Sequence, residues 1–255
     1  MADIIFPDAL PLDSLAIPLW CRAQCRVLYP ELGVGAADEE LIARIRADFS
    51  VARRSEPLLY ALRQTLSANC LRDFLAVHPD AALIDLGCGL DTVLRLADNG
   101  RCTMIYADRP EAMALRRELL PPGERERYVE CDVRDLSPLS GVDASRGVCI
   151  VMSGLLCHLE PEDVRALLSG LASMFPGARC LFDGNGRALA RFSRRAGLRS
   201  FLPGAPAVRR WEGVSGVKGL KNLPESFRVL PRLKRPKLAL LLRMGVIHFY
   251  DCTLA

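Results

Sequence analysis

Three apolar runs in this 255-residue chain each end in residues suited to holding a nucleoside. The first, Ala81-Ala82-Leu83-Ile84-Asp85-Leu86, stops at Gly87-Cys88-Gly89, where glycine allows the backbone to approach a ligand closely. The second, Cys102–Ala107, stops at Asp108, 21 residues after Gly87, the spacing and residue type expected of a carboxylate that accepts hydrogen bonds from a ribose diol. The third, Tyr128–Cys131, stops at Asp132-Val133, a polar and an apolar group that could flank an adenine. Each feature has a plainer reading: a lone Gly-x-Gly makes a turn, and Asp132 could cap a following helix. Their conjunction at successive run ends is a stronger signal than any one of them.

The type of nucleoside is narrowed by what is missing. A nicotinamide dinucleotide fingerprint needs a third glycine three residues after the second, and position 92 is Thr. A Gly-x-x-x-x-Gly-Lys-Ser/Thr phosphate loop is excluded because the first lysine of the chain is Lys218. A pyrophosphate cradle is therefore poorly supported. An adenosine ligand without phosphates fits better, and S-adenosylmethionine is the common one.

The elements that must position these residues follow from hydrophobic period. Residues 12–78 read as mostly helical, with Leu41, Ile42, Ile45 and Phe49 on one face after Asp38. A longer pattern from Pro57 through Leu62, Leu66, Leu71 and Leu75 predicts a helix ending near His78-Pro79. From residue 81 the period changes to short buried runs, which recur at 102–107, 128–131, 148–152 and 179–182 with helical stretches at 111–120 and 162–174 between them. That alternation predicts a doubly wound, mostly parallel α/β sheet. A last strand is expected at Val246–Tyr250, after an excursion over 184–245 that interrupts the alternation. The expected division is a helical cap over 1–78 and a cofactor domain over 79–255 carrying a lid insertion.

Charge divides the chain in a related way. Residues 1–183 hold 19 basic and 27 acidic groups, whereas 184–255 hold 15 basic and 3 acidic, within a total net charge of +4. Half of the residues are hydrophobic and a quarter charged, which excludes disordered, collagen-like and coiled-coil classes. Met1–Leu10 has no basic, apolar leader pattern, and the apolar runs 148–156 and 238–242 are far shorter than the ~20 residues that span a bilayer. A soluble cytoplasmic protein without membrane contact is expected. The ten cysteines lack the Cys-x2-Cys spacing of a zinc site and read as buried thiols in a reducing compartment.

At the level of longer motifs, the chain resembles the leucine carboxyl methyltransferase family, which includes bacterial polyketide carboxyl O-methyltransferases. The likeness is carried by His78-Pro79-Asp80-Ala81, Leu83 through Thr92, Asp98-Asn99-Gly100, Asp108-Arg109-Pro110-Glu111 and Leu115-Arg116-Arg117. Further cues are Ile17–Ala23, Gly154–Leu159, Phe175–Ala178, Phe182-Asp183, Trp211 and Gly245–Phe249. The resemblance implies a Rossmann-like class I methyltransferase that binds S-adenosyl-L-methionine. It implies that Arg63 pairs with the cofactor's methionine carboxylate, a task that suits a bidentate guanidinium. It also implies that Gly87 and Gly89 contact the cofactor, Asp108 its ribose, and Asp132-Val133 its adenine. Arg63 could instead be a solvated helix arginine.

The chain departs from that family where Glu usually follows strand 4, which here is Ser153, and where Tyr usually stands five residues on, which here is His158. Val93 replaces the usual Arg after Asp91-Thr92. Ser153 is retained as the cofactor-site residue at that position. A carboxylate acceptor is already ionised at neutral pH, so alignment and desolvation can carry the transfer. A base would help a phenol or enol acceptor, and His158 is the candidate, against a plain rim or core histidine. The basic excursion, with Arg187, Arg191, Arg194, Arg195, Lys218, Lys221, Lys234 and Lys237, reads as a solvated lid, a funnel for an anionic small molecule, or a nucleic-acid surface. The expected activity is O-methylation of a small anionic or phenolic acceptor. The alternatives are an RNA methyltransferase, an inactive S-adenosylmethionine-binding protein and, more distantly, a nicotinamide-dependent oxidoreductase.

Overall fold

The computed structural model of the protein describes residues 4–6, 12–50, 57–187 and 199–255. Unbroken apolar runs become strands buried on both faces, as parallel strands covered by helices must be. Every residue of β1 (Ala82–Leu86) is buried, and β2 (Thr103–Asp108) and β3 (Glu126–Glu130) follow with β4 (Val148–Met152), again wholly buried. The sheet is completed by β5 (Arg179–Asn185), β6 (Val214–Gly219) and β7 (Ile247–Leu254), in the spatial order β3-β2-β1-β4-β5-β7-β6. The first five strands are parallel; β7 runs antiparallel to both β5 and β6. Strand order reverses between β1 and β4, so the crevice beyond their carboxyl ends is where this architecture takes a ligand.

Helices cover both faces. The N-terminal layer is α1 (Leu12–Leu28), α2 (Ala36–Ile42) and α3 (Pro57–Val77). The crossovers are α4 (Val93–Ala97), α5 (Pro110–Leu119) and α6 (Pro161–Met174); α5 and α6 each open on a proline, whose fixed φ suits the first turn. Two short helices, α7 (Ala205–Val208) and α8 (Lys234–Arg243), belong to the C-terminal excursion. One face of the sheet packs Ile84, Ile150 and Phe182 on Leu168 and Leu171 of α6. The other packs Leu83, Val151 and Leu181 on Leu71 and Leu75 of α3. Toward its start α3 turns Leu58, Leu62 and Leu66 to Leu238 and Leu242 of α8 and to Phe249, so the same helix ties the cap, the sheet and the excursion together. Each such leucine, taken fully out of water, stabilises the fold by ~2 kcal/mol.

Three expectations are corrected. The helix expected to carry Leu41, Ile42, Ile45 and Phe49 ends at Ile42, and Ile45–Arg46 instead pair in parallel with Ile4–Ile5. The four side chains still gather in one cluster, so the apolar pattern was sound and a non-local strand pairing overrode its helical period. The excursion over 184–245, expected as an insertion outside the sheet, contains β6 at the edge of the sheet, paired with β7 across a bulge at Val214/Gly216. Its sequence, Val-Ser-Gly-Val-Lys-Gly, carries the half-solvated composition and the edge lysine of an outer strand and so reads as loop. The last strand runs four residues beyond the expected Tyr250, to Leu254. Arg191, Arg194 and Arg195 lie outside the described residues. All ten cysteines are buried. Among the described residues no helix is long and apolar enough to cross a membrane.

Candidate functional site

The glycine-rich turn is built on β1 and β2. Leaving β1, the N–H groups of Gly87 and Cys88 both donate to Ala107 O, at 2.8 and 3.3 Å, which keeps the turn in line with the neighbouring strand. Gly89 has φ of +46°, and a Cβ there would stand 2.9 Å from Leu15 Cδ2 of α1. The left-handed backbone is what favours glycine here, and the absent side chain leaves Leu15 of the cap helix in place over the turn. The Gly89 N–H donates to Asp108 Oδ2 at 2.8 Å, and the Arg109 N–H donates to Asp108 Oδ1 at 2.8 Å. Burial raises the Asp108 carboxyl above the ordinary aspartate range, and these two backbone N–H groups offset part of that rise. Two oxygens with lone pairs remaining, held at the end of β2, are what a ribose diol requires.

Asp132 and Val133 stand beside this pair. The Cys131 N–H donates to Asp108 O at 2.9 Å, which brings the end of β3 against the end of β2. Asp132 is exposed and accepts the Arg134 N–H at 2.9 Å, so it closes a local turn and caps no helix directly. Val133 packs its apolar side chain on the main core cluster.

Arg63 lies on α3 at the far end of the crevice. Its Nε donates to Asp183 Oδ2 at 2.8 Å, its Nη2 is 2.8 Å from the same oxygen, and Asp183 Oδ1 accepts the Gly154 N–H at 2.7 Å. A Cβ at Gly154 would stand 2.9 Å from Arg63 Nη1, so the glycine after Ser153 makes room for the guanidinium. Burial works against the Arg63 charge, and Asp183 more than restores it. Arg63 is thus a paired arginine and not a solvated one. Ser153 is half-buried and lines a cavity of about 10 Å³, together with Ser67, Cys70 and Asp183. His158 is exposed at the end of the turn Leu156–His158 that follows β4.

The structure therefore joins Gly87, Gly89, Asp108, Asp132 and Val133 at one end of the sheet's carboxyl edge and Arg63 with Ser153 at the other, with His158 on the rim. Residues overlooked in the sequence complete it. Asp183 had been noticed only as part of a family motif. Arg22 of α1 donates through Nε and Nη2 to Asp38 Oδ1 at 2.9 and 2.7 Å and approaches Asp91 Oδ2 at 3.6 Å, all three being buried or nearly so. Asp91 also accepts from Gln64 Nε2 and from the N–H groups of Thr92 and Val93. Burial alone would raise its carboxyl, but Arg22 and these donors pull it below the ordinary value. The sequence places Asp38 only at the start of a helical pattern, and the spacing Arg22 to Asp38 carries no periodic signal that flags the pair.

The donor set, with a buried carboxylate at the end of β2, a guanidinium on α3 and a turn held open by glycine, fits S-adenosyl-L-methionine. Similarity to known proteins agrees. Residues 13–172 match the family model for leucine carboxyl methyltransferase. The tetracenomycin polyketide synthesis O-methyltransferase TcmP of Streptomyces glaucescens is 28% identical over 259 residues, covering 86% of this chain and 94% of that protein. In fold, a Thermobifida fusca protein provisionally assigned as a methyltransferase superposes with a TM-score of 0.61 at 18% identity, over 97% of this chain and 99% of the other. A DUF574 family protein from Streptomyces avermitilis gives 0.59 at 17% identity, over 93% and 98%. The chain belongs to the leucine carboxyl methyltransferase family and is an S-adenosyl-L-methionine-dependent methyltransferase.

Proposed function

We propose that the protein methylates a carboxylate oxygen of a small molecule. When bound, S-adenosyl-L-methionine supplies a methyl group carried on a sulfonium. Arg63, Gly87, Gly89, Asp108, Asp132, Val133 and Ser153 form its site, with residues 1–78 as cap and the part of 184–245 outside the sheet as lid over the acceptor. The observation that carries the reading is the pairing of two fixed polar anchors along one sheet edge: Asp108, oriented by the Gly89 N–H at 2.8 Å, and Arg63, oriented by Asp183 at 2.8 Å. Such anchors align a ligand without themselves exchanging protons, which is sufficient for an acceptor already ionised at neutral pH. The name of TcmP supports an oxygen acceptor on a polyketide-like molecule. The exposed position of His158 supports an acceptor that needs no base buried beside it.

The test is release of S-adenosylhomocysteine with a panel of aryl carboxylic acids and matched phenols, in the wild type and in His158→Ala. Turnover of acids, unchanged in His158→Ala, is the expected result. Turnover confined to phenols and lost in His158→Ala would replace the carboxylate with a base-assisted acceptor. Turnover with RNA alone, or with nothing while S-adenosylhomocysteine still binds, would overturn the small-molecule reading.

A further inference from the structure

A fully buried arginine among the described residues has no part in the function so far. Arg116 of α5 is 0% exposed, yet among the described residues its hydrogen bonds go to backbone carbonyls and to no carboxylate. Its Nη1 donates to Gly89 O at 2.9 Å and to Asp91 O at 2.8 Å, its guanidinium lies 3.8 Å over the ring of Tyr106 and 5.1 Å from that of Tyr128, and its Nε and Nη2 have no hydrogen-bond partner among the described residues. The buried carboxyl of Asp85, paired across the ladder with Tyr106, also has no hydrogen-bond partner among the described residues. Burying a cation this way costs several kcal/mol, partly offset by the two carbonyls and the tyrosine faces. An apolar side chain would fill the same space without that cost but would leave the carbonyls of Gly89 and Asp91 without the donor that Nη1 supplies.

What it does is grip the glycine-rich turn. Gly89 is held on both sides by α5 and its lead-in: its carbonyl by Arg116, two turns into the helix, and its N–H by Asp108, two residues before the helix begins. We infer that Arg116 is a positioning residue for the ribose end of the cofactor site: by fixing the carbonyls of Gly89 and Asp91 it fixes the Gly89 N–H that aims the Asp108 carboxylate. The tyrosine pair sets the plane of the guanidinium, with Tyr106 and Tyr128 edge to face at 5.6 Å and 82°. The side chain acts through Asp108, and the inference rests on the ribose role proposed for Asp108.

The test is a double-mutant cycle read as S-adenosylhomocysteine affinity by calorimetry, with thermal unfolding recorded for every variant. Asp108→Asn is expected to weaken binding about 30-fold, the loss of charge-assisted hydrogen bonds. Arg116→Met removes both carbonyl bonds and the buried charge; it is expected to weaken binding about 10-fold while keeping or raising the unfolding temperature. Arg116→Lys keeps a donor and the charge and is expected to stay within about 3-fold of wild type. In the Asp108→Asn/Arg116→Met double variant the loss should equal that of Asp108→Asn alone within about 2-fold, because the two residues act on one contact. Losses that multiply, or an Arg116→Met protein that binds like wild type, overturn the inference and leave Asp108 untouched. An Asp108→Asn protein that binds like wild type overturns the ribose reading, and the inference with it. If Arg116→Met does not unfold cooperatively, the same cycle is run with Arg116→Lys, whose smaller loss must likewise vanish in the Asp108→Asn background; a loss that persists there overturns the inference.

Discussion

Arg63 of α3 and Asp183 at the end of β5 are 120 residues apart in sequence and meet at 2.8 Å, with two guanidinium nitrogens on one carboxylate oxygen. The other oxygen holds the Gly154 N–H. One carboxylate therefore fixes both the cap helix and the turn after β4, and the arginine proposed to receive the cofactor's carboxylate is oriented before any ligand arrives. Arg63→Met would leave Asp183, 2% exposed, with one backbone donor, a change expected to cost about 3 kcal/mol in urea unfolding. Adding Asp183→Asn removes the orphaned charge and should restore most of that stability. S-adenosylhomocysteine affinity should fall with Arg63→Met and remain low in the double variant; recovery of binding along with stability would mean that Arg63 is structural only.

The sheet and the near end of the site were legible because their signals are local. Buried strands between helices are written as unbroken apolar runs, and Gly87, Gly89 and Asp108 stand where those runs stop, so topology alone brings them together. The partners that hold them were not legible, because nothing periodic links Arg63 to Asp183, Arg22 to Asp38 or Arg116 to the Gly89 carbonyl. Each is a contact between distant elements made by a single side chain. β6 was missed for a different reason: an edge strand with three of its six residues Gly or Lys has no apolar alternation to read. At 45–46 a true apolar pattern was assigned the wrong period, since the partner strand lies some forty residues upstream.

Cofactor affinity should depend on pH through Asp108. Burial raises its carboxyl above the ordinary value, so in the free protein the ionised form is the disfavoured one. The free fold therefore loses stability as pH rises from the unfolded-state value through the raised folded value, and changes no further above it. Ribose hydroxyls need an acceptor, so binding has the opposite sense: affinity is full above the raised value and falls on acidification through it, earlier than an exposed aspartate would titrate. Calorimetry of S-adenosylhomocysteine between about pH 4 and pH 8 should show that fall in the wild type and a flat, weak profile in Asp108→Asn. A wild-type profile that is flat across the range would remove Asp108 from the site.

Restoring the carboxylate usual in the family at position 153 should harm this protein. Ser153 shares its cavity of about 10 Å³ with Asp183, room for a single water. A glutamate there would be overpacked and would set a second carboxylate beside one already committed to Arg63 and Gly154. Ser153→Glu is expected to lose about 2 kcal/mol of stability and to be partly rescued by Ser153→Gln, which has the same bulk without the charge. If Ser153→Glu is as stable as wild type and binds S-adenosylmethionine more tightly, the serine is a simple loss of function at that position.

The opposed charges of the two parts of the chain should be separable by ligand. Residues 184–255 carry 15 basic groups against 3 acidic, and Lys234 and Lys237 stand exposed on α8, the helix that packs through Leu238 and Leu242 onto Leu62, the immediate neighbour of Arg63. That position puts their field at the Arg63 end of the crevice, beside the proposed lid, and away from Asp108 at the other end. A cationic rim raises the local concentration of an anion, and salt screens it over a Debye length of roughly 10 Å at 0.1 M. Lys234→Gln/Lys237→Gln is expected to raise KM for a carboxylate acceptor about three-fold at low salt, with kcat and cofactor affinity unchanged, and the difference from wild type should vanish at about 0.5 M salt. An unchanged KM at every salt concentration would make these lysines a solvated face, and the acceptor would then have to be recognised by uncharged contacts within the crevice.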